Sequence, residues 1–287
     1  MLRIDPHAHT AISDGTDTPK ELMYAAARAG LNVVGLTDHD TIDGWDEAAQ
    51  HVSASGVALL RGAEISASAD GITVHILGFL FNPTDPGIMR ICERTRHDRQ
   101  TRAQRIVERI AADYPITFAD VQRQAHGSAV IGRPHIADAL VEAGIFPDRS
   151  AAFVHVLHPR GPYYVHHWAP DPVEVVQKIR AAGGVPVLAH PRAAARQRLL
   201  GEDVIAHMAE AGLFAMERDH RDHDEQGKKD VERLARDLRI CVTGSSDYHG
   251  SGKPNHLGEN LTSEHVFRQI EEQGFLEVLY PHTSHEV

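Results

Sequence analysis

The chain has 287 residues, a formal net charge of −11 and two cysteines. This length suits a single α/β barrel, which commonly runs to about 250 residues. The negative charge argues against stable binding to duplex nucleic acid but leaves a small phosphorylated substrate open. Cys92 and Cys241 provide no disulfide framework, and no apolar run approaches the ~20 residues of a membrane span. The first motif begins at Asp5, which leaves no room for a signal peptide, so we expect a cytoplasmic protein without a membrane partner.

Short apolar runs alternate with helical patterns at both ends of the chain, which predicts βα units and a mainly parallel sheet. After a first strand that closes at His7, the N-terminal elements are predicted as a helix over 21–29, a strand over 33–36, a helix over 45–53, and strands over 57–60 and 73–79. The C-terminal elements are predicted as helices over 172–182, 204–211 and 225–238, and strands over 185–189, 213–216 and 240–244. This count of about seven strands predicts an α/β barrel.

The stretch from 83 to 168 interrupts this alternation of strands and helices. It is polar and rich in arginine, and its apolar residues recur at the intervals of a helix. Its apolar residues at helical intervals are Ile88, Ile91, Ile106, Val107 and Ile110. We therefore predict a barrel domain formed by residues 1–82 and 169–287, into which a mainly helical lid of residues 83–168 is inserted.

Histidines and acids follow the ends of the predicted strands. His7 and His9 are two residues apart on a strand, so both point to one side and can hold one metal ion together. Asp247 and His249 repeat this spacing after the last strand, and Glu64 closes the third. Because α/β barrels place their active sites at the carboxyl ends of the strands, this distribution predicts a multinuclear metal site.

Each of these residues also has a simpler interpretation. Paired histidines can lie on the surface, a carboxylate such as Glu64 can form a buried ion pair, and His75 can be a hydrogen-bonded core residue. Taken together, imidazole and carboxylate donors without thiolate suit Mn, Fe or Zn rather than Mg or Ca. Asp5 and Asp38 are candidates for orienting the imidazoles by accepting their second N–H.

Seven motifs occur in a fixed order along the chain: HxH, SDG, TDHD, GxE, VHILGF, AHP and SDxH. In this order they resemble the PHP (polymerase and histidinol phosphatase) family of metal-dependent phosphoesterases. The resemblance implies a distorted (βα)7 barrel with an inserted helical lid, and a centre of two or three divalent ions of Mn, Fe or Zn. It assigns the ligands as His7, His9, Glu64 and Asp247 for a first ion, Glu64, His75 and His190 for a second, and Asp14, His39 and His249 for a third.

Such a centre implies direct hydrolysis of a phosphoester. Two ions would share a bridging water and lower its pKa from ~15.7 toward about 7, so that a hydroxide attacks phosphorus in line. The third ion, with its ligands Asp14 and His39 in catalytic roles, would offset charge on the phosphate oxygens in the transition state. No covalent intermediate is expected, because the sequence has no GxSxG or phosphate-binding glycine-loop pattern.

Substrate contacts are expected in the lid and in the loops after the later strands. Arg133 and His135 precede a helix, where the guanidinium and the helix N-terminus both favour phosphate; an exposed arginine beside a capping histidine is an equal alternative. Arg160, Arg192 and His223 are further candidates. Either His135 or His223 could protonate the leaving oxygen, since imidazole is suited to acid catalysis near neutral pH.

The sequence GRPHIA and the segment 160–168 resemble one branch of the family, the phosphatases of AMP and of nucleoside 3′,5′-bisphosphates. In that branch Arg133, His135 and His223 match phosphate-contacting positions. One departure is the turn Arg160-Gly161-Pro162, where relatives often carry Gly-Lys-Pro, so that the cation is displaced by one residue. The polar stretch also contains a helix rich in arginine. We expect most of these arginines to face solvent and one or two of them to contact the substrate; they are Arg94, Arg96, Arg99, Arg102, Arg105 and Arg109.

The resemblance favours a phosphomonoesterase that acts on 5′-AMP or a nucleoside 3′,5′-bisphosphate. Removal of nucleotides from the 5′ end of short oligonucleotides is a further activity that it leaves open. A histidinol-phosphate phosphatase is the nearest alternative within the family, and a non-catalytic metal-binding module is the alternative from another class. Amidohydrolases also begin with HxH but usually bridge their metals with a carbamylated lysine, whereas Glu64 occupies that kind of position here. The oligomeric state is left open.

Overall fold

Within the residues that the structure describes, seven strands form one sheet in chain order, β1 to β7. The computed structural model describes residues 2–125, 131–158, 160–165, 168–195 and 197–281. The strands are β1 (Ile4–Asp5), β2 (Val33–Leu36), β3 (Ala58–Ala69), β4 (Ile72–Phe79), β5 (Val185–Leu188), β6 (Ala215–Asp219) and β7 (Cys241–Gly244). Neighbouring strands are parallel except at β4, which runs antiparallel to both β3 and β5. A parallel bridge between Ala8 and Tyr248 joins the two ends, so the sheet nearly closes into a barrel.

Helices lie in every connection of the sheet except the β3–β4 turn. The helices before β4 are α1 (Pro19–Arg28), α2 (Trp45–Gln50) and α3 (Val52–Ser55). The lid stretch holds α4 (Pro86–Ile110), α5 (Phe118–Gln124), α6 (Arg133–Glu142) and α7 (Arg149–His155). The remaining helices are α8 (Pro172–Ala181), α9 (Glu202–Glu210), α10 (Glu225–Leu238) and α11 (Glu264–Gln273). Among the described residues, no helix is both long enough and apolar enough to cross a membrane.

The α/β barrel class predicted from the sequence is confirmed, and α10 has the predicted bounds. The third strand was predicted too short, because β3 continues to Ala69 and meets β4 through Asp70 and Gly71. Both turn residues have positive φ, 51° and 74°. This is the geometry of a two-residue turn that joins antiparallel strands, so β4 departs from the mainly parallel sheet that was expected. The helix predicted over 45–53 divides at His51, and α11 was not predicted.

The two faces of the sheet bury different apolar clusters, as the alternation of side chains along a strand requires. Val34, Leu59 and Ile76 belong to the cluster that packs with the surrounding helices. Val33 and Leu60 belong to the opposite face, with which α11 packs. The helices α4 to α7 have a cluster of their own, formed by residues that include Ile106, Val121, Ile136, Leu140 and Val156. The later part of α4 and the helices α5 to α7 therefore pack around a core of their own, whereas Ile88, Ile91 and Cys92 at the start of α4 belong to the barrel cluster.

Arg149 is one of several arginines that join the stretch 83–168 to the barrel, together with Arg96 and Arg99 of α4. Arg149, the first residue of α7, donates from Nη2 to Asp138 Oδ2 on α6 at 2.6 Å. Its Nη1 approaches the Gly252 carbonyl oxygen at 3.4 Å, in the loop that follows β7. A cleft of about 700 Å³ lies between these elements and is lined by residues that include His135, Arg149 and Lys253.

Gly35 on β2 permits the close approach of the segment that carries the first two candidate ligands. The register pairs Ile4 with Val33 and Asp5 with Val34, which brings Pro6 beside Gly35. A Cβ on Gly35 would lie 1.8 Å from the Pro6 carbonyl oxygen. Because both partners are backbone, no side-chain movement can relieve this overlap, and the His7–His9 segment depends on a glycine at this position.

Gly35→Ala should lower the free energy of unfolding by about 3 kcal/mol or more, because the added methyl group forces the backbones of β1 and β2 apart. Gly56→Ala is the control for the effect of steric overlap. Gly56 has a positive φ of 73°, which disfavours alanine, but a Cβ there meets nothing within 4 Å. The control should cost only about 1–2 kcal/mol. Urea unfolding followed by circular dichroism measures both, and equal losses would contradict the close-packing explanation.

Candidate metal centre

The carboxyl ends of the strands bring the predicted metal ligands into one connected cluster. His7 and His9 follow β1, His39 follows β2, His190 follows β5 and Asp247 follows β7. The full set is His7, His9, Asp14, His39, Glu64, His75, His190, Asp247 and His249, and each is joined to another by a nitrogen–oxygen distance of at most 3.8 Å. Most of these side chains are fully buried.

The first ligand group consists of His7, His9, Glu64 and Asp247. His7 Nε2 lies 3.0 Å from His9 Nε2, 3.4 Å from Glu64 Oε2 and 3.5 Å from Asp247 Oδ1. His9 Nε2 lies 3.0 and 3.4 Å from the same two oxygens. Donors about 2.0–2.2 Å from a tetrahedral ion are about 3.3–3.6 Å apart, so the spacing of these four atoms fits one ion.

Glu64 connects this group to the second through its two carboxylate oxygens. Oε2 faces His7 and His9, whereas Oε1 lies 2.9 Å from His75 Nδ1 and 3.2 Å from His190 Nε2. The sequence placed Glu64 at the end of a strand, but it lies in the middle of β3, paired with Leu77. The reversed direction of β4 is what brings His75, near the start of that strand, to the same end of the barrel.

The third group consists of Asp14, His39 and His249, with His9 beside them. His249 Nε2 lies 3.2 Å from Asp14 Oδ1, and His39 Nε2 lies 3.8 Å from Asp14 Oδ2. His249 Nδ1 is within 2.9 Å of the Asp247 carbonyl oxygen, to which it donates. The lone pair of His249 Nε2 is thereby turned toward the cluster.

Two buried imidazole nitrogens in the cluster, His39 Nδ1 and His249 Nε2, make no well-aligned hydrogen bond among the described residues, although Glu64 Oε2 and Asp14 Oδ1 each lie 3.2 Å from one of them. An unsatisfied buried polar atom costs about 1–3 kcal/mol, so such atoms point to a missing partner. Six imidazoles and three carboxylates without a thiolate are the donors that Mn, Fe or Zn accept. The side chains present therefore fit divalent metal ions.

The electrostatics of the cluster follow from carboxylates buried among imidazoles. Burial alone would lower the pKa of His7, but Glu217 and Glu64 hold it well above its ordinary value. Burial also opposes the rise for His9, whose pKa is raised to about 9 by Asp247 and Glu64. Burial would raise the pKa of Glu64, yet the neighbouring imidazoles hold it well below its ordinary value. The carboxylates are consequently ionised near neutral pH and ready to bind cations.

Glu217 on β6 organises the centre and was not assigned a role from the sequence. Its Oε1 accepts from His7 Nδ1 at 2.9 Å and from Ser245 Oγ, and its Oε2 accepts from the His190 backbone N–H at 2.8 Å. Burial would raise its pKa, but the charge of His7 and neighbouring imidazoles lowers it to about 2. This carboxylate fixes the tautomer of His7 and directs Nε2 toward the ligand group.

Asp5 and Asp38 were expected to accept from imidazoles, but they hold backbone instead. Asp5 accepts from the N–H groups of Ser246 at 3.0 Å and Gly258 at 2.8 Å. Asp38 accepts from Thr10 N–H and from the hydroxyl groups of Thr10 and Ser13. Both acids therefore shape the loops that carry ligands, because a carboxylate that follows a strand reaches neighbouring loops before it reaches the ligand rings.

Two candidate ligands adopt left-handed backbone conformations that are costly for residues other than glycine. His190 has φ of 31° and Asp247 has φ of 54°. The conformation of Asp247 is supported by Lys253 Nζ, 2.9 Å from Oδ2, and by His220 Nε2, 3.5 Å from the same oxygen. Strain of this kind concentrates at functional sites.

The start of α6 carries two of the predicted substrate residues, Arg133 and His135, and His135 lies beside the loop that holds Asp14. Arg133 Nη1 donates to the Leu157 carbonyl oxygen at 3.0 Å, and the ring of Tyr164 lies 5.7 Å from its Cζ. His135 Nδ1 accepts from Gly132 N–H at 3.2 Å, and the ring also hydrogen-bonds to the Ser13 backbone. Burial lowers the pKa of His135, so its ring is neutral near pH 7.

The other predicted substrate residues lie differently. Arg192 is buried and donates from Nη1 to the Leu200 carbonyl oxygen at 3.0 Å, while its backbone N–H donates to His223 Nε2 at 3.0 Å. His223 Nδ1 is 2.9 Å from the Arg218 carbonyl oxygen, so both of its ring nitrogens are held by backbone, and burial lowers its pKa. Arg160 is exposed. His166 and His167 of the segment 160–168 lie outside the described residues.

Comparison with known proteins agrees with this geometry. A 3′,5′-nucleoside bisphosphate phosphatase from Chromobacterium violaceum is 32% identical over 254 residues, which cover 88% of this chain and 89% of that protein. A 5′-3′ exoribonuclease from Haemophilus influenzae is 30% identical over 264 residues, 90% of this chain and 94% of that protein. A solved structure from Bifidobacterium adolescentis, classed as a metal-dependent phosphoesterase, has a TM-score of 0.92 and 41% identity, covering 95% of this chain and 96% of that one.

The PHP domain family matches residues 5–126, a range that holds the HxH segment, the loop with Asp14, and Glu64 on β3. The relatives extend the likeness over most of the remaining chain. The motif order, the barrel and the buried ligand cluster lead to the same assignment: the chain belongs to the PHP domain family.

Proposed function

We propose that this protein is a metal-dependent phosphomonoesterase that hydrolyses nucleotides, with 5′-AMP or a nucleoside 3′,5′-bisphosphate as substrate. The observation that carries the proposal is the cluster of candidate ligand groups, in which Glu64 contacts His39 of the third group, with His135 beside the loop that holds Asp14. A relative that is a nucleoside bisphosphate phosphatase supports the same substrate class. Removal of nucleotides from the 5′ end of short oligonucleotides is the second candidate, since another relative is an exoribonuclease.

The nine clustered residues are the proposed ligands of two or three divalent ions, Mn, Fe or Zn. When bound, these ions would lower the pKa of water and offset charge on phosphate oxygens. Glu217 holds His7 in the tautomer that presents Nε2. Lys253, 2.9 Å from Asp247 Oδ2, adds a cation at the rim. Asp14 and His39 complete the proposed catalytic set, and Asp14 adjoins Gly15, which lines the cleft.

The proposed substrate residues divide into those free to engage a phosphate and those that frame the site. Arg133 retains guanidinium N–H groups beyond its bond to Leu157, which makes it the first candidate for phosphate binding. His135 is the preferred proton donor because it lines the cleft; its pKa is lowered by burial, so this role requires the charge of a bound phosphate to raise the pKa and protonate the ring. His223 can donate a proton to the substrate only after it releases a hydrogen bond to a backbone group. The buried guanidinium of Arg192 donates to the Leu200 carbonyl oxygen, so Arg192 belongs to the residues that frame the site.

The substrate proposal is tested with purified protein, Mn²⁺ and a panel of 5′-AMP, adenosine 3′,5′-bisphosphate, a 5′-phosphorylated dinucleotide and histidinol phosphate. Phosphate release should be fastest with one of the nucleotides and should cease with EDTA. Preference for histidinol phosphate would favour the nearest alternative. If protein that binds metal releases no phosphate from any of these substrates, a non-catalytic metal-binding module would be favoured.

Asp247→Ala should abolish turnover and lower the metal content while the fold remains, because Asp247 lies in a loop after β7 and not in an apolar cluster. Asp237→Ala is the matched control: Asp237 lies on α10 in a surface ion pair with Arg233, and its loss should cost less than about 1 kcal/mol. Elemental analysis, phosphate release and circular dichroism are measured on both proteins. Full metal content and normal turnover in Asp247→Ala would contradict the ligand assignment.

Metal affinity should rise with pH. In the metal-free protein the pKa of His9 is raised to about 9 and that of His7 lies well above its ordinary value, so both rings carry protons near neutral pH. An entering ion must displace these protons, and fewer remain as the pH approaches about 9. Calorimetry with Mn²⁺ in buffers of different ionisation enthalpy should detect proton release that diminishes from pH 6 to about 9. An affinity independent of pH would contradict this description.

A further inference from the structure

Lys253, in the loop after β7, places a positive charge against the candidate metal ligands. Its Nζ lies 2.9 Å from Asp247 Oδ2. Within the described part of the chain, no other lysine or arginine forms an ion pair with one of the nine candidate ligands. The other oxygen of the same carboxylate, Oδ1, lies 3.5 Å from His7 Nε2 and 3.4 Å from His9 Nε2. The ammonium group therefore holds the outer oxygen of Asp247 and leaves Oδ1 to the first ligand group.

The charge of Lys253 acts on two of the three ligand groups. Burial would raise the pKa of Asp247, and the charge of Lys253 is the foremost of the influences that hold it well below its ordinary value. Burial, followed by the charge of Lys253, lowers the pKa of His249 to about 4. Asp247 belongs to the first ligand group and His249 to the third, so the ammonium group lies close to both.

The same side chain also lines the cleft of about 700 Å³, together with His135 and Gly15. The side chain of Lys253 is 30% exposed, whereas that of Asp247 is 2% exposed. Among the described residues, Asp247 is the one hydrogen-bond partner of the ammonium group. An ammonium group has three N–H donors, so two of them remain for a ligand that enters the cleft.

The loop that carries Lys253 is fixed on both sides of this residue. On one side, the Ser251 backbone N–H donates to Thr16 Oγ1 at 2.8 Å. On the other side, the buried Asn255 donates from Nδ2 to the Ser246 carbonyl oxygen at 2.6 Å. Because the backbone is held at both points, the flexible lysine side chain starts from a fixed position between the ligand cluster and the cleft.

We propose that Lys253 is a substrate-binding residue whose ammonium group contacts an oxygen of the phosphate that is hydrolysed. The inference rests on the proposed function and adds a residue to its substrate site. One N–H of the ammonium group holds Asp247 Oδ2, and a second N–H donates to the phosphate oxygen. A lysine ammonium is a compact charge with three rotatable donors, and such groups commonly bind phosphate. The contact would also offset the charge that builds on the phosphate oxygens in the transition state.

The binding test compares Lys253→Met with Lys228→Met in protein loaded with Mn²⁺, and inorganic phosphate is the probe. Lys228 is the matched control because it also pairs with a carboxylate, Glu225 at 3.0 Å, and its side chain is 34% exposed. Lys253→Met should raise the Kd for phosphate about tenfold or more while elemental analysis finds the metal content unchanged. Lys228→Met should change neither quantity. Lys253→Arg should retain part of the affinity, because it keeps a charged N–H donor.

A kinetic test shows which part of the substrate Lys253 contacts. Lys253→Met should lower kcat/KM by a similar factor, about tenfold or more, for 5′-AMP and for adenosine 3′,5′-bisphosphate, because both present the phosphate that is hydrolysed. A loss confined to the bisphosphate would place Lys253 at another group and overturn the inference. Melting temperatures identify any general loss of structure. If Lys253→Met is unstable, Lys253→Gln gives the same comparison, because it keeps an N–H donor for Asp247 but removes the charge.

The two measurements separate failure of this inference from failure of the proposed function. A lower metal content in Lys253→Met would show that Lys253 acts only by holding Asp247, and would overturn the inference. Unchanged phosphate binding and turnover in Lys253→Met would also reject the contact and would leave the proposed function in place. Phosphate binding that depends on Lys253, in protein that hydrolyses no phosphoester, would support the contact and reject the proposed catalysis.

Discussion

The buried carboxylate of Glu64 sets the geometry of the whole centre. One of its oxygens faces His7 and His9 and the other faces His75 and His190, so two ligand groups are held at a fixed separation. A carboxylate this deeply buried requires nearby positive charge, because its desolvation is costly. The barrel places five imidazoles within 3.4 Å of its oxygens, on segments that meet at one end of the strands. The antiparallel direction of β4 contributes to this arrangement, because in a parallel strand His75 would lie at the opposite end of the barrel.

Much of this arrangement is visible in the sequence because the ligands are carried by short local motifs. The HxH pair, the AHP turn and the SDxH segment each follow an apolar run, and barrel topology then brings them together. The β3–β4 hairpin was also encoded, in Asp70-Gly71, but the glutamate before it was taken as the end of its strand. That error hid the antiparallel pair, although the predicted strand over 73–79 was close to β4.

Glu217 shows what local sequence cannot reveal. It lies on β6 with no motif around it, and its partner His7 is 210 residues away in the chain. Only the closure of the barrel makes them neighbours. The roles expected for Asp5 and Asp38 failed for a related reason, since a pattern can place an acid near a ligand without showing which donor it meets. The backbone strain at His190 and Asp247 likewise depends on contacts with distant elements and leaves no mark on composition.

The contact between Arg149 and Gly252 has a mechanical consequence. Gly252 lies three residues beyond His249. A Cβ at this position would lie 2.3 Å from Arg149 Nη1, so α7 and the loop after β7 are in close contact and leave no room for a side chain at residue 252. The start of α7 is thus joined to the loop that carries Asp247 and His249. A displacement of α7 away from the barrel would have to move this loop as well, so the position of α7 and the shape of the candidate site at Asp247 and His249 are mechanically linked.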